Sequence, residues 1–137
     1  MIWLSESRNQ VVARDDRLAK EIGLTIQPDR NLPDLILVDI GPAEPLLVFV
    51  EVVATAGPVS EARQTALMVI ATEAGFSEDH VAFVTAYADR DETAFKGSVS
   101  ELAWRSFAWF MSEPDHIVVL QRGFDAEPVR LSDLMRV

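Results

Sequence analysis

The chain has 137 residues, 49% of them hydrophobic and 25% charged, which is the composition of a globular domain and excludes a disordered chain. It contains no cysteine and no apolar run approaching about 18 residues, which excludes a disulfide scaffold, a thiolate zinc site, a signal peptide and a membrane span, and predicts a cytoplasmic protein. The net charge of -10 disfavours a broadly basic nucleic-acid-binding surface, but charges are screened beyond about 8 Å at physiological salt, so a local cationic cluster can still contact DNA.

The first half of the chain predicts three strands and one helix. Ile2–Ser5 is apolar enough for a short strand, and Asp15–Ile22 carries apolar residues at helical spacing before Gly23, a natural helix end. Leu35–Val38 and Leu46–Ala54 are nearly continuous apolar runs separated by a turn rich in glycine and proline. Such runs are typical of strands buried inside a sheet.

The second half predicts a long helix, a broken helix and three more strands. The long helix opens at Gly57-Pro58, with Ser60 as an alternative cap, and ends at Gly75. The later elements are a strand at Val81–Tyr87, a broken helix at Asp91–Ala103, and strands at Ser106–Phe110 and Ile117–Leu120. Four aromatic residues of this half are expected in the core, namely Trp104, Phe107, Trp109 and Phe110.

The order of these elements predicts an α/β fold of one domain over residues 1–137, with a mixed sheet flanked by helices. The long helix connects the strand Leu46–Ala54 to the strand Val81–Tyr87. A crossover of that kind places its two strands parallel and side by side.

Two carboxylates, Asp34 and Glu51, carry the chemistry of the predicted hairpin. Asp34 immediately precedes the strand Leu35–Val38, and Glu51 interrupts an otherwise apolar strand. The centre of the hairpin falls near residues 42 and 43, midway between the two acids, so that they lie almost opposite each other. Two neighbouring carboxylates repel, and they need a proton or a metal ion between them. Mg²⁺, which prefers oxygen ligands, fits such a pair.

Ordinary structural roles remain as alternatives for both acids. Asp34 follows Pro33, and such a dipeptide is common in turns. Glu51 is harder to explain in this way, because a glutamate is rarely buried without a partner. A buried ion pair between Glu51 and Arg63 would supply that partner without any catalytic role.

The sequence around the two acids resembles the C-terminal catalytic domain of the BsuBI/PstI type II restriction endonucleases. Asp34 followed by Glu51-Val52-Val53 is similar to the short PD-(D/E)XK nuclease motif. The likeness extends from about Trp3 to about Gly123. It is carried, in order, by Leu32–Asp34, Phe49–Val59, Phe83–Arg90, Leu102–Trp104 and Trp109–His116.

This resemblance implies a restriction-endonuclease-like core that hydrolyses phosphodiester bonds of double-stranded DNA with Mg²⁺. The metal would be held by Asp34, Glu51 and the carbonyl of Val52. Val53 occupies the position of the lysine in the general motif, so the cationic role passes to Arg63, which is the third catalytic residue. Family members carry an N-terminal region that resembles a DNA-binding module, and the chain is expected to be the catalytic part without it.

Further expectations from the resemblance concern DNA and activity. Arg63, Arg90 and Thr55 are candidates for phosphate contacts, and a homodimer would match the two strands of a palindrome. Positions that often carry a functional group in the family are Ala56 and Ala62 here. The alternative function is therefore a catalytically impaired nuclease-like module that binds DNA or a partner protein. The recognition sequence does not follow from the residues, because base readout depends on groove geometry.

Overall fold

The fold is a mixed sheet with helices, and the computed structural model describes residues 1–6, 10–26, 32–41, 43–53, 57–121 and 131–135. Within these residues there are seven strands: β1 (Trp3–Glu6), β2 (Gln10–Arg14), β3 (Leu35–Asp39), β4 (Leu46–Val52), β5 (Val81–Tyr87), β6 (Ser106–Phe110) and β7 (Ile117–Leu120). The helices are α1 (Asp16–Glu21), α2 (Glu61–Glu73), α3 (Thr93–Ser98) and α4 (Leu131–Leu134), with short 3₁₀ turns at Glu78–His80 and Val99–Glu101.

The strands form one sheet in the order β2-β1-β3-β4-β5-β6-β7. β3 and β4 are an antiparallel hairpin, whereas β4, β5 and β6 run parallel. The outer pairs β1–β2, β1–β3 and β6–β7 are antiparallel. The predicted mixed α/β sheet is confirmed, and so is the parallel crossover through α2.

One face of the sheet carries the helices and the core. Phe49 of β4 and Phe83 of β5 lie side by side on this face, with ring centroids 5.9 Å apart, and both are buried beneath Leu67 and Ile70 of α2. A second cluster lies under α3, where Phe95 meets the ring of Phe110 edge to face at 5.0 Å. The helices α1, α2 and α3 all pack on this helical face.

The opposite face of the sheet is apolar across five strands. The strand registers place on this face Leu35, Leu37, Val48, Val50, Val84, Ala86, Phe107, Trp109, Ile117 and Val119. Near the edge strand β7 the face is open to solvent, since Ile117 and Val119 are 52% and 41% exposed. We call this surface the apolar back face.

Three features differ from the sequence-based expectations. β2 was not predicted; it is a short strand that pairs only with β1 in the described part of the chain. α2 begins at Glu61 and not at Gly57-Pro58, because the hydroxyl of Ser60 caps it by accepting from the backbone N–H of Arg63 at 3.2 Å. Of the four aromatic residues expected in the core, Phe110 is buried, but Trp104 is 57% exposed on the loop before β6.

The described helices include none that is both long and apolar enough to cross a lipid bilayer.

Candidate active site

The β3–β4 hairpin brings Asp34 and Glu51 together. Leu35 pairs with Val50, so Asp34, one residue before Leu35, comes opposite Glu51, one residue after Val50. Both acids are buried, at 5% and 3% exposure. Asp34 also replaces a ladder hydrogen bond, because its Oδ2 accepts from the backbone N–H of Val52 at 2.7 Å. The hairpin therefore fixes two buried carboxyl groups side by side on the helical face of the sheet.

Arg63 approaches this pair from the first turn of α2. Its Nε and Nη2 each lie 2.7 Å from Oε1 of Glu51. Its Nη2 also donates to the carbonyl of Leu32 at 3.0 Å. The side chains of the ion pair are 16% exposed for Arg63 and 4% for Glu51. Asp34, Glu51 and Arg63 thus form one buried cluster of two acids and one cation, which we call the acid–arginine cluster.

The environment of Glu51 raises its pKa above the ordinary value of 4.5. Burial of the carboxylate away from water is the largest cause, and the guanidinium of Arg63 opposes it. The charge of Asp34 and a hydrogen bond between the two carboxyl groups raise the pKa of Glu51 further. The cluster therefore favours a proton on Glu51 or an additional cation beside it.

The acid–arginine cluster offers a donor set that suits Mg²⁺. The described residues contain no group of three or more histidine, cysteine, aspartate or glutamate side chains that could enclose a metal. Mg²⁺ does not need such a cage, since it is commonly held by one or two carboxylates and completes its coordination with water and phosphate oxygens. Two adjacent acids, one of which also accepts from the backbone N–H of Val52, fit this pattern.

Val53, at the lysine position of the general motif, is part of the core. It is partly buried and packs against the cluster that contains Tyr87, Leu102 and Phe110. Ala62 is exposed on α2. Thr55 and Ala56 lie outside the described residues. The cation nearest the two acids in the described structure is thus supplied by α2 and not by β4.

Arg90 lies beyond the C-terminal end of β5, at the same edge of the sheet as the end of β4. Its guanidinium faces Glu113, with Nε 3.2 Å from Oε2, and its side chain is 59% exposed. Contact of Arg90 with phosphate stays a prediction.

Tyr87, the last residue of β5, is buried, and its hydroxyl lies 2.7 Å from Oγ of Ser98. Since the Ser98 hydroxyl donates to the carbonyl of Ala94, Tyr87 is the donor in this pair.

Two groups of the cluster's surroundings were not anticipated from the sequence. One is the carbonyl of Leu32, which no side-chain pattern reveals. The other is Thr85, which is fully buried beside Glu51 in the parallel β4–β5 register. Its Oγ1 accepts from the backbone N–H of Val59 at 3.0 Å, and this bond holds the segment that leads into α2 and Arg63. The sequence feature that could have identified Thr85 is the presence of a polar residue within the strand Val81–Tyr87.

Comparisons with known proteins give a family match and a fold match. Residues 1–123 match the family model of the BsuBI/PstI restriction endonuclease domain. The structure is similar to that of the SdaI restriction endonuclease, with a TM-score of 0.71 and 26% sequence identity over 94% of this chain. The chain spans 39% of the length of that enzyme. A search of curated protein sequences gave no match.

Proposed function

The chain belongs to the BsuBI/PstI restriction endonuclease family, and from that membership we propose that it is the Mg²⁺-dependent catalytic domain of an endonuclease that hydrolyses phosphodiester bonds of double-stranded DNA. Family and fold both support a nuclease-like function. The metal, the substrate and the roles of individual residues are the parts that we propose.

The observation that carries the proposal is the opposition of Asp34 and Glu51 at the end of the β3–β4 hairpin. A fold gains no stability from burying two carboxylates together, because each loses hydration and they repel each other. Here both are less than 6% exposed, and among the described residues one guanidinium, that of Arg63, faces them. An arrangement with an excess of buried negative charge is expected where the charge serves a cation that binds with the substrate.

Asp34 and Glu51 would hold the metal, with the carbonyl of Val52 as a further oxygen ligand. Asp34 is oriented for this by the Val52 N–H, which donates to its Oδ2 at 2.7 Å. When bound, Mg²⁺ would neutralise charge on the phosphate and lower the pKa of a coordinated water. The protein's part is to fix the acids in place and keep the cluster away from bulk water.

Arg63 would supply the positive charge that the motif lysine supplies elsewhere. The chain has two lysines, Lys20 on α1 and Lys96 on α3, and both are exposed. Arg63, in contrast, contacts Glu51 directly, with its Nε 2.7 Å from Oε1 of that residue. A guanidinium stays protonated at all relevant pH values, so Arg63 can stabilise charge on a phosphate but cannot accept a proton from water.

The test is Mg²⁺-dependent nicking of supercoiled plasmid by the wild type, Asp34→Asn and Arg63→Ala. We expect loss of cleavage in Asp34→Asn and at least a tenfold reduction in Arg63→Ala, equal to about 1.4 kcal/mol of transition-state stabilisation. Asp39→Asn is the matched control near the other end of the same hairpin strand, because Asp39 is exposed and its Oδ1 accepts from the N–H of Gly41, a bond that an asparagine can keep. Cleavage by Asp34→Asn at the wild-type rate would contradict the proposal.

A second candidate, a nuclease-like module that binds DNA or a partner protein without cutting, is favoured by the core position of Val53 and by the ion pair between Arg63 and Glu51. In the same assay it predicts no cleavage by a folded wild-type chain at any Mg²⁺ concentration.

Three further expectations stay predictions: the cytoplasmic location, the homodimer, and the phosphate contacts of Arg63, Arg90 and Thr55.

A further inference from the structure

Arg63 and a metal ion would compete for the same carboxylate. Both contacts of the guanidinium with Glu51 end on one oxygen, Oε1, at 2.7 Å. The Glu51 side chain is 4% exposed, so a second cation has little free surface by which to approach it. A divalent ion bound to Glu51 would also lie within a few ångströms of the guanidinium, where like charges repel strongly in a partly dehydrated site.

Arg63 has a second anchor that does not depend on Glu51. Its Nη2 donates to the carbonyl of Leu32 at 3.0 Å. The guanidinium can therefore turn away from Glu51 and remain in the cluster. There it would lie in the N-terminal turn of α2, where the helix dipole disfavours a cation, so an anion that binds with the substrate would stabilise it. A phosphodiester carries one negative charge and accepts the paired N–H donors of arginine well.

We propose that Arg63 is exchanged between Glu51 and a DNA phosphate, so that Mg²⁺ and DNA bind to this site cooperatively. With the guanidinium on Glu51, the affinity for Mg²⁺ is low. A phosphate that takes over the guanidinium releases the Glu51 carboxylate to the metal. Because such coupling is reciprocal, Mg²⁺ raises the affinity for the phosphate by the same factor. This inference rests on the proposed function and adds a regulation of the same site.

Calorimetric titration of Mg²⁺ into the full chain, without DNA, tests the exchange directly. We expect Arg63→Ala to bind Mg²⁺ at least tenfold more tightly than the wild type. Arg17→Ala is the matched control, since it removes the same charge from an exposed ion pair with Glu21 on α1 and should bind as the wild type does. If Arg63→Ala does not fold by circular dichroism, Arg63→Gln keeps a neutral donor for the Leu32 carbonyl and carries the same expectation.

A second titration includes diethyl phosphate, a phosphodiester that resists hydrolysis, at a fixed excess. We expect it to tighten Mg²⁺ binding to the wild type and to leave Arg63→Ala unchanged. Equal Mg²⁺ affinity in the wild type and Arg63→Ala would overturn the exchange while leaving a metal-dependent nuclease intact. Absence of Mg²⁺ binding in every variant, with the phosphodiester present, would overturn the proposed function and the exchange together.

Discussion

Glu51 lies between one cation and one acid, and the two neighbours have opposite effects on its charge. Arg63 stabilises the ionised carboxylate at 2.7 Å, whereas burial and Asp34 favour the protonated form. The pKa of Glu51 rises because desolvation outweighs the ion pair. A buried ion pair in such surroundings is weak evidence for stabilisation, since the cost of removing water from both ions can exceed their attraction.

The contribution of Glu51 to the stability of the wild type should therefore fall as the pH rises through the folded-state pKa of Glu51. The folded chain holds this proton more tightly than the unfolded chain, where the pKa is near 4.5, so this contribution to the unfolding free energy is largest below that value and declines above it. In Glu51→Gln the amide oxygen can still accept from Arg63 and the amide nitrogen can donate to Asp34. We expect this variant to match or exceed the wild-type stability at pH 7 and to lack the decline.

Chemical denaturation of the wild type, Glu51→Gln and Glu51→Leu over a pH series measures these effects. The leucine variant removes the carboxylate that accepts from Arg63 in the buried ion pair and is expected to lose about 3–5 kcal/mol, the usual effect of breaking such a pair. If Glu51→Gln lost a comparable amount at neutral pH, the ionised pair with Arg63 would be a net source of stability and the inferred balance at Glu51 would be wrong.

At the scale of single residues, the sequence was informative where a charge conflicted with its surroundings. Glu51 stood out because the residues of its strand are otherwise apolar, and its register with Asp34 followed from the position of the hairpin turn. The alternative pairing of Glu51 with Arg63 could also be predicted, because Arg63 lies four residues before Leu67 and seven before Ile70, on one face of the predicted helix. The contact of Arg63 with the Leu32 carbonyl was not, since backbone acceptors leave no mark in a sequence.

At the scale of elements, the start of α2 shows why a proline did not mark the first helical turn. Val59 is fully buried, and its N–H donates to Oγ1 of Thr85 in β5. The carbonyl of Val59 accepts from Ala103 at 2.8 Å. These long-range bonds hold the segment against β5 and the loop before β6, so the helix begins only after Ser60. Bonds of this kind depend on tertiary contacts and were invisible to local sequence patterns.

Thr85 should be the residue on which this connection depends. In Thr85→Val the shape is kept, but the buried N–H of Val59 loses its acceptor, and we expect a loss of about 1–3 kcal/mol of unfolding free energy. Thr65→Val on α2 is the control, since its exposed hydroxyl donates to a carbonyl of its own helix and its replacement should stay within about 0.5 kcal/mol. Urea denaturation of both variants gives the comparison, and equal stabilities would show that water satisfies Val59 or that the segment moves.

At the scale of the whole molecule, the sequence predicted the layers of the fold but not the full extent of the sheet. The α2 crossover and the β3–β4 hairpin determined the order β3-β4-β5, and the structure confirms it. The outer strand β2 was missed because Gln10–Arg14 contains only three consecutive apolar residues and gains its structure from pairing with β1. The net charge of -10 is a property of the whole chain, so the proposed binding of DNA would depend on local cationic groups such as Arg63 and Arg90.

The apolar back face has a practical consequence for dye-binding tests of whether the purified protein is natively folded. Its alternating strand residues are apolar apart from Asp39 at the end of β3, and at the β7 edge they are as much as 52% exposed. Such a surface should bind the dye 8-anilinonaphthalene-1-sulfonate and enhance its fluorescence, which is commonly taken as the mark of a molten globule. Here we expect the dye signal together with an intact near-ultraviolet circular dichroism spectrum from the tryptophans, and Val119→Lys should weaken the first without altering the second. A dye signal that appeared only as the near-ultraviolet spectrum was lost would mean that the face is covered in the native protein.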